Sequence, residues 1–229
     1  ISFKNRNNIF EYQINENTLD VISKDNNKLF KGLIEFKPFY LVSNFKYQTF
    51  RIKDLLNNPF FIEILKSQAL SNKNLNALIN FDVKKVYDFD RFSDLSLKLK
   101  IEEGDYNFSN SNIIWKENVK VSFLDAFLNF DKEKINLNGR TSFDVKNQDE
   151  FFKFFQIKKD LRKNIEKIEL DFNYDFNEEK ITFDNLRIDN KSNKEIEEII
   201  SNFNSSNKRF LNKITFKNFV NDILIAYFG

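Results

Sequence analysis

Adjacent carboxylates stand at Glu102/Glu103, Glu178/Glu179 and Glu197/Glu198, with a looser pair at Asp88/Asp90. Paired acids of this kind can share a proton or divide the acid and base roles of a hydrolase, provided that they sit on neighbouring elements at a defined gap. The first two pairs fall where polar turns are expected and the third on a helix surface, so all three read as solvated charge. Asp88 and Asp90 lack the further oxygen ligands at calcium-loop spacing. Two Ser-x-x-Lys matches, Ser43 to Lys46 and Ser205 to Lys208, lack the Ser-Asp-Asn and Lys-Thr-Gly companions of a serine acylase. The chain has neither His nor Cys. Imidazole bases, thiolate nucleophiles, disulfides and His- or Cys-ligated metals are therefore excluded. The expectation is a protein that is not an enzyme and carries no cofactor and no metal.

Charge adds little. Across 229 residues, 36 Lys and Arg stand against 34 Asp and Glu, a net charge of +2, which supplies no global attraction to nucleic acid. One stretch departs from balance. Residues 153–167 carry Lys153, Lys158, Lys159, Arg162, Lys163 and Lys167 against Asp160 and Glu166. It reads chiefly as a solvated helix face, with anionic headgroups or phosphates as the alternative partner. No apolar run is long enough to span a bilayer as a helix. Met is absent even at position 1, and the expectation is a fragment of a longer protein. Phe occurs 29 times and Gly only four, a skew that AT-rich codons explain; Phe then fills positions where Leu or Val is usual.

The elements are legible from periodicity. Apolar residues at every second position mark strands: Phe10, Tyr12 and Ile14; Phe39 through Tyr47; Leu75 through Val83; Leu95, Leu97, Leu99 and Ile101; Val119, Val121 and Phe123, with Leu128 and Phe130 as a separate strand; Ile135 through Val145; and Ile168 through Phe176. Polar turns punctuate them at 25–27, 102–105, 131–134 and 177–179. Pro38 marks a strand end, a bulge or an edge. The period changes to that of a helix near 52–70, near 148–164, where Asn147 or Asp149 is the expected N-cap, and in the last forty residues. The predicted fold class is mainly β: a curled antiparallel sheet of many short strands forming an open apolar groove, with two or three helices including a C-terminal one. The predicted organisation is a β-groove domain over 1–190, with helical insertions near 52–70 and 148–164, and a C-terminal helical cap over 191–229.

A strand that alternates has one oily face, and that face must be covered. A second sheet, closure into a barrel or a ligand can all cover it. Burial of a large apolar side chain is worth about 1.5–3 kcal/mol, so a fully wet face is prohibitive. A packed interior and an acyl-chain groove share the same pattern, and periodicity leaves both open.

Three stretches carry a resemblance. They are Phe30-Lys31-Gly32-Leu33-Ile34-Glu35-Phe36-Lys37-Pro38-Phe39, the run from Leu97 to Phe108 with its Glu102-Glu103-Gly104 turn, and Ile135-Asn136-Leu137-Asn138-Gly139-Arg140. Together, over about residues 20–190, the chain resembles the C-terminal part of the AsmA-like family of bacterial envelope proteins. That resemblance implies a protein anchored in the inner membrane by a helix upstream of this fragment and facing the periplasm. It also implies a part in phospholipid transport to the outer membrane and in envelope assembly. The expected groove residues are Leu95, Leu97, Leu99, Phe108, Val121, Phe143, Leu170, Tyr174 and Phe183. The expected partners are phospholipid acyl chains and no nucleic acid; for the C-terminal helix, membrane-surface contact is the alternative to the favoured packing as a cap on the sheet end. The alternative is a non-catalytic β-rich scaffold or binding domain with a dry packed interior.

Overall fold

The computed structural model describes residues 2–5, 8–25, 27–51, 72–87, 92–131, 134–206 and 213–229. The protein is mainly β, with thirteen strands and three α-helices among the described residues, the last helix at the C-terminal end. The expected helix near 52–70 lies outside the described residues, as do Asp88 and Asp90. Two compact units divide the chain, residues 1–113 and residues 114–229. The boundary expected at residue 190 falls inside the second unit, which contains the C-terminal helices together with four long strands.

In the first unit the sheet follows chain order: β1 (Ser2–Asn5), β2 (Asn8–Ile14), β3 (Thr18–Lys24), β4 (Lys28–Phe36), β5 (Phe39–Phe50), β6 (Asn76–Val86), β7 (Phe92–Glu102) and β8 (Asp105–Asn107). Neighbours are antiparallel except for β5 and β6, which pair in parallel with Phe45 opposite Phe81. The sheet is thus mixed where a purely antiparallel one is expected from the sequence. The length of the connection over residues 51–75 permits this, since parallel strands need a crossover of a dozen residues or more. The tight turns are held by side chains. Asp25 Oδ1 accepts from the backbone N–H groups of Asn27 and Lys28 at 2.7 and 2.8 Å. At the other end Glu103 and Gly104 take positive φ between β7 and β8. β9 (Asn112–Trp115) follows and crosses into the second unit.

The second unit is built on β10 (Val119–Asp131), β11 (Lys134–Val145), β12 (Lys167–Asp175) and β13 (Lys180–Ile188), an antiparallel meander. The sequence pattern separates Val119–Phe123 from Leu128–Phe130, yet both belong to one strand of 13 residues. A bulge between Phe123 and Asp125 inserts Leu124. The extra residue shifts the parity, so Ala126, Leu128 and Phe130 return to the side used by Val119, Val121 and Phe123. Opposite the bulge stands Gly139, paired with the fully buried Ala126. A Cβ on Gly139 would lie 2.7 Å from Ala126 Cα and 2.9 Å from its Cβ, and would press on the Asp125 carbonyl.

Three helices complete this unit: α1 (Gln148–Phe155), α2 (Lys194–Ser205) and α3 (Lys213–Phe228). Asn147 caps α1, its side chain accepting from Glu150 N. The helical segment expected to reach residue 164 stops at Phe155, because Gln156 turns left-handed at φ 59°; only a 3-10 turn over Lys159–Leu161 follows. Asn193 caps α2 by accepting from Ile196 N at 2.9 Å, and donates to the Ala226 carbonyl near the end of α3. α2 closes the outer edge of β13: Asn204 accepts from Phe183 N at 3.0 Å and donates to Phe183 O at 2.8 Å. Those two bonds occupy backbone groups that an exposed edge would offer to another strand.

Replacing Gly139 by Ala is expected to destabilise the second unit by about 1–3 kcal/mol, the usual cost of overpacking against backbone that cannot yield. Chemical denaturation checks it, and an unchanged midpoint would show that β10 and β11 do not approach as described.

Candidate functional site

Register decides which side chains share a face. Across the first unit the pairings Tyr12–Val21, Leu19–Ile34, Phe30–Phe45, Phe45–Phe81, Phe81–Leu97 and Ile79–Leu99 join β2 to β7 on a single side. Every one of these positions is apolar. A row of rings runs along it. Phe30 lies 4.8 Å from Phe45, Phe45 6.1 Å from Phe81, and Phe81 5.2 Å from Tyr47 and 4.8 Å from Phe50. The opposite side is mixed: Lys31, Asn44, Asn80, Asp82, Ser96 and Lys98 stand beside Ile22, Leu33, Val42 and Leu78, with Asn80 donating to Asn44 and Ser96 to Asp82. Lys28, ion-paired with Asp25, reaches the apolar side only at the strand ends.

This apolar face is sealed at one end and half-open along most of its length. Val83, Val86 and Leu95 form its buried cluster, with Tyr47, Phe50, Phe81, Phe92, Leu97 and Ile113 packed around them. Phe30, Phe45, Phe81, Leu97 and Leu99 all remain half-buried rather than fully enclosed. Burial pushes the Tyr47 phenol above its ordinary pKa, and the Asp25 charge adds to the shift. The ring therefore stays neutral on this face.

In the second unit the equivalent side carries Val121, Phe123, Phe143, Leu170, Phe172, Tyr174 and Phe183. Here the helices cover part of it. Phe183 stacks on Phe219 of α3, with ring centres 5.3 Å apart and planes 14° apart, and Phe203 of α2 closes the trio at 4.3 Å from Phe219. Burial raises the Tyr174 pKa, with the charges of Glu179 and Asp175 contributing.

The nine predicted groove residues thus separate. Leu95, Leu170 and Phe183 are interior, at 5%, 7% and 4% exposure. Leu97 and Leu99 stand half-buried on the face of the first unit, and Val121, Phe143 and Tyr174 on that of the second. Phe108 lies past the end of β8, half-buried in the turn that Ser111 N closes on the Phe108 carbonyl. The ring row of Phe30, Phe45, Tyr47 and Phe81 is absent from the prediction, although the alternation through Phe39–Tyr47 and Leu75–Val83 signals it.

The catalytic candidates do not assemble. Ser43 is buried on the apolar side of β5, whereas Lys46, three residues on, is exposed on the other side. Glu102/Glu103 and Glu178/Glu179 occupy exposed turns, and Glu197/Glu198 an exposed stretch of α2. Lys208 lies outside the described residues. Among the described residues no group of three or more acidic side chains is placed to hold a metal, and no helix is long and apolar enough to cross a membrane.

The polar side of the second unit carries a cross-strand ion pair. Arg140 Nε donates to Asp171 Oδ1 at 2.8 Å, and Asn185 donates to Asp171 Oδ2 at 2.8 Å. The Arg140 bond, then the Asn185 bond, hold the Asp171 carboxyl below its usual range. A lowered folded pKa adds stability above the unfolded value near 3.9 and loses it as the pH falls through the folded value. The stability difference between wild type and Asp171→Asn should therefore be constant above about pH 5 and shrink below about pH 4. Denaturation midpoints at several pH values check this; a difference that grows in acid would contradict it.

Comparison with known proteins returned no match to a family model, to a curated protein or to a solved structure.

Proposed function

We infer that this chain is a non-catalytic lipid-handling module whose first unit receives phospholipid acyl chains on the apolar face of β2–β7. One observation carries the reading. Register places Phe30, Phe45, Phe81, Leu97 and Leu99 on one side, and all five are half-buried rather than fully enclosed. An isolated exposed apolar residue needs no explanation, but a contiguous band does. The band is apolar and several side chains wide, which suits methylene chains and gives no purchase to a polar substrate. No charge stands opposite a headgroup within it, so headgroups would remain at its margins, where Lys28 and Asp25 lie.

The likeness to AsmA-like proteins on the Phe30–Phe39, Leu97–Phe108 and Ile135–Arg140 stretches agrees with this reading. It extends it to a periplasm-facing, inner-membrane-anchored protein that takes part in phospholipid transport to the outer membrane and in envelope assembly. For the second unit a packed interior is favoured instead, because α2 and α3 bury Phe183 and Leu170 is almost fully enclosed.

The two readings predict opposite behaviour of paired variants. Leu99→Ser in the half-open band should keep a cooperative melt but lose the phospholipid that mass spectrometry detects in extracts of the purified protein. Leu170→Asp places a charge in an enclosed site and should unfold the second unit, since an unpaired buried charge costs several kcal/mol. Phospholipid absent from wild type, or retained equally by Leu99→Ser, would end the acyl-chain reading.

A further inference from the structure

We propose that the cleft between the end of α1 and the outer side of α3 binds the phosphate of an anionic phospholipid, with Lys158 and Lys217 as its cationic contacts. The cleft holds about 420 Å³. Its lining is mixed: Phe155, Leu161 and Ile225 are apolar, and Gln156, Lys158, Lys217, Asn218 and Asn221 are polar. A phosphate ester attached to the start of an acyl chain has this same division of character.

Charge selects the occupant. Neither Lys158 nor Lys217 has a carboxylate partner among the described residues; the acidic groups on their own elements, Asp160 and Asp222, make no ion pair with them. The Lys217 ammonium instead rests 5.7 Å from the centre of the Phe154 ring, and Lys116 reaches the same ring at 5.5 Å. Asn221, the other polar residue of the cleft on α3, is committed, since its side chain donates to the Phe155 carbonyl at 2.6 Å. That bond ties α3 to the end of α1 and keeps the cleft formed without a ligand. The apolar part of the lining argues for a lipid over a free phosphate: Ile225 is 43% exposed, a cost that an acyl chain removes and an inorganic ion does not.

The site stands on residues of the second unit alone and is independent of the open band in the first. A spectroscopic reporter is already in place. Trp115 is the chain's single tryptophan, and its ring centre lies 4.8 Å from that of Phe154, with Lys116 5.7 Å away. The test titrates the whole chain with dihexanoyl phosphatidic acid below its micelle concentration while following Trp115 fluorescence. Inorganic phosphate and dihexanoyl phosphatidylcholine serve as the other two arms. Phosphatidic acid should bind saturably and at least tenfold more tightly than either, and the Lys158→Gln/Lys217→Gln variant should lose about tenfold or more of that affinity with an unchanged melt. An Ile225→Ser variant should weaken phosphatidic acid and leave phosphate unaffected. Equal affinity for inorganic phosphate would overturn the lipid assignment, and a double variant that binds as wild type would overturn the site.

Discussion

Strand register is the constraint on which this protein depends. Apolar residues recur every second position along each strand, and a slip of one residue between two strands would throw one oily row onto the polar side. The pairings keep every row aligned: Phe30 meets Phe45, Phe45 meets Phe81, and Phe81 meets Leu97. Where the pattern itself slips, the backbone compensates. The bulge at Leu124 restores parity in β10, and Gly139 supplies the space that the bulge requires on β11. Side-chain-closed turns such as that of Asp25 fix where each hairpin begins.

The two units use the resulting apolar side differently. In the second, helices supply the cover. Asn204 holds α2 against the edge of β13, the Phe183–Phe203–Phe219 stack fills the space beneath, and Lys163 accommodates the end of α3 by donating to the Phe228 carbonyl at 2.7 Å. In the first, the cluster of Val83, Val86 and Leu95 is buried, while the aromatic row leading away from it stays half-open. The same two-residue rhythm therefore builds a packed interior in one place and an accessible band in another. What separates them is whether another element lies on top, a property of tertiary structure.

That distinction also explains what the sequence could convey. The strands were legible because alternation is local, and the first turn of α1 because Asn147 is a side-chain cap. The parallel pairing of β5 and β6 was not legible, since nothing in either strand encodes the direction of its neighbour; the long connection permits it, and the register realises it. The continuity of β10 was hidden by the parity change at Leu124. Among the expected groove residues, Leu97 and Leu99 stand in the half-open band, whereas Leu95, only two positions earlier on the same face, is buried by Val83 and Val86. Residues of identical type and phase differ in exposure because of distant neighbours. Phe45 and Phe81 went unrecognised as members of the band for the same reason: their partnership is set by strand pairing across 36 residues of chain.

The central claim is that one side of the β2–β7 sheet meets acyl chains and the other does not. Site-specific incorporation of a photoreactive phenylalanine at neighbouring positions reads this directly, because adjacent strand residues face opposite sides. Irradiation in cells followed by mass spectrometry should give phospholipid adducts at positions 45 and 97 and none at positions 46 and 98. Adducts in equal yield on both sides, or none at positions 45 and 97, would contradict it.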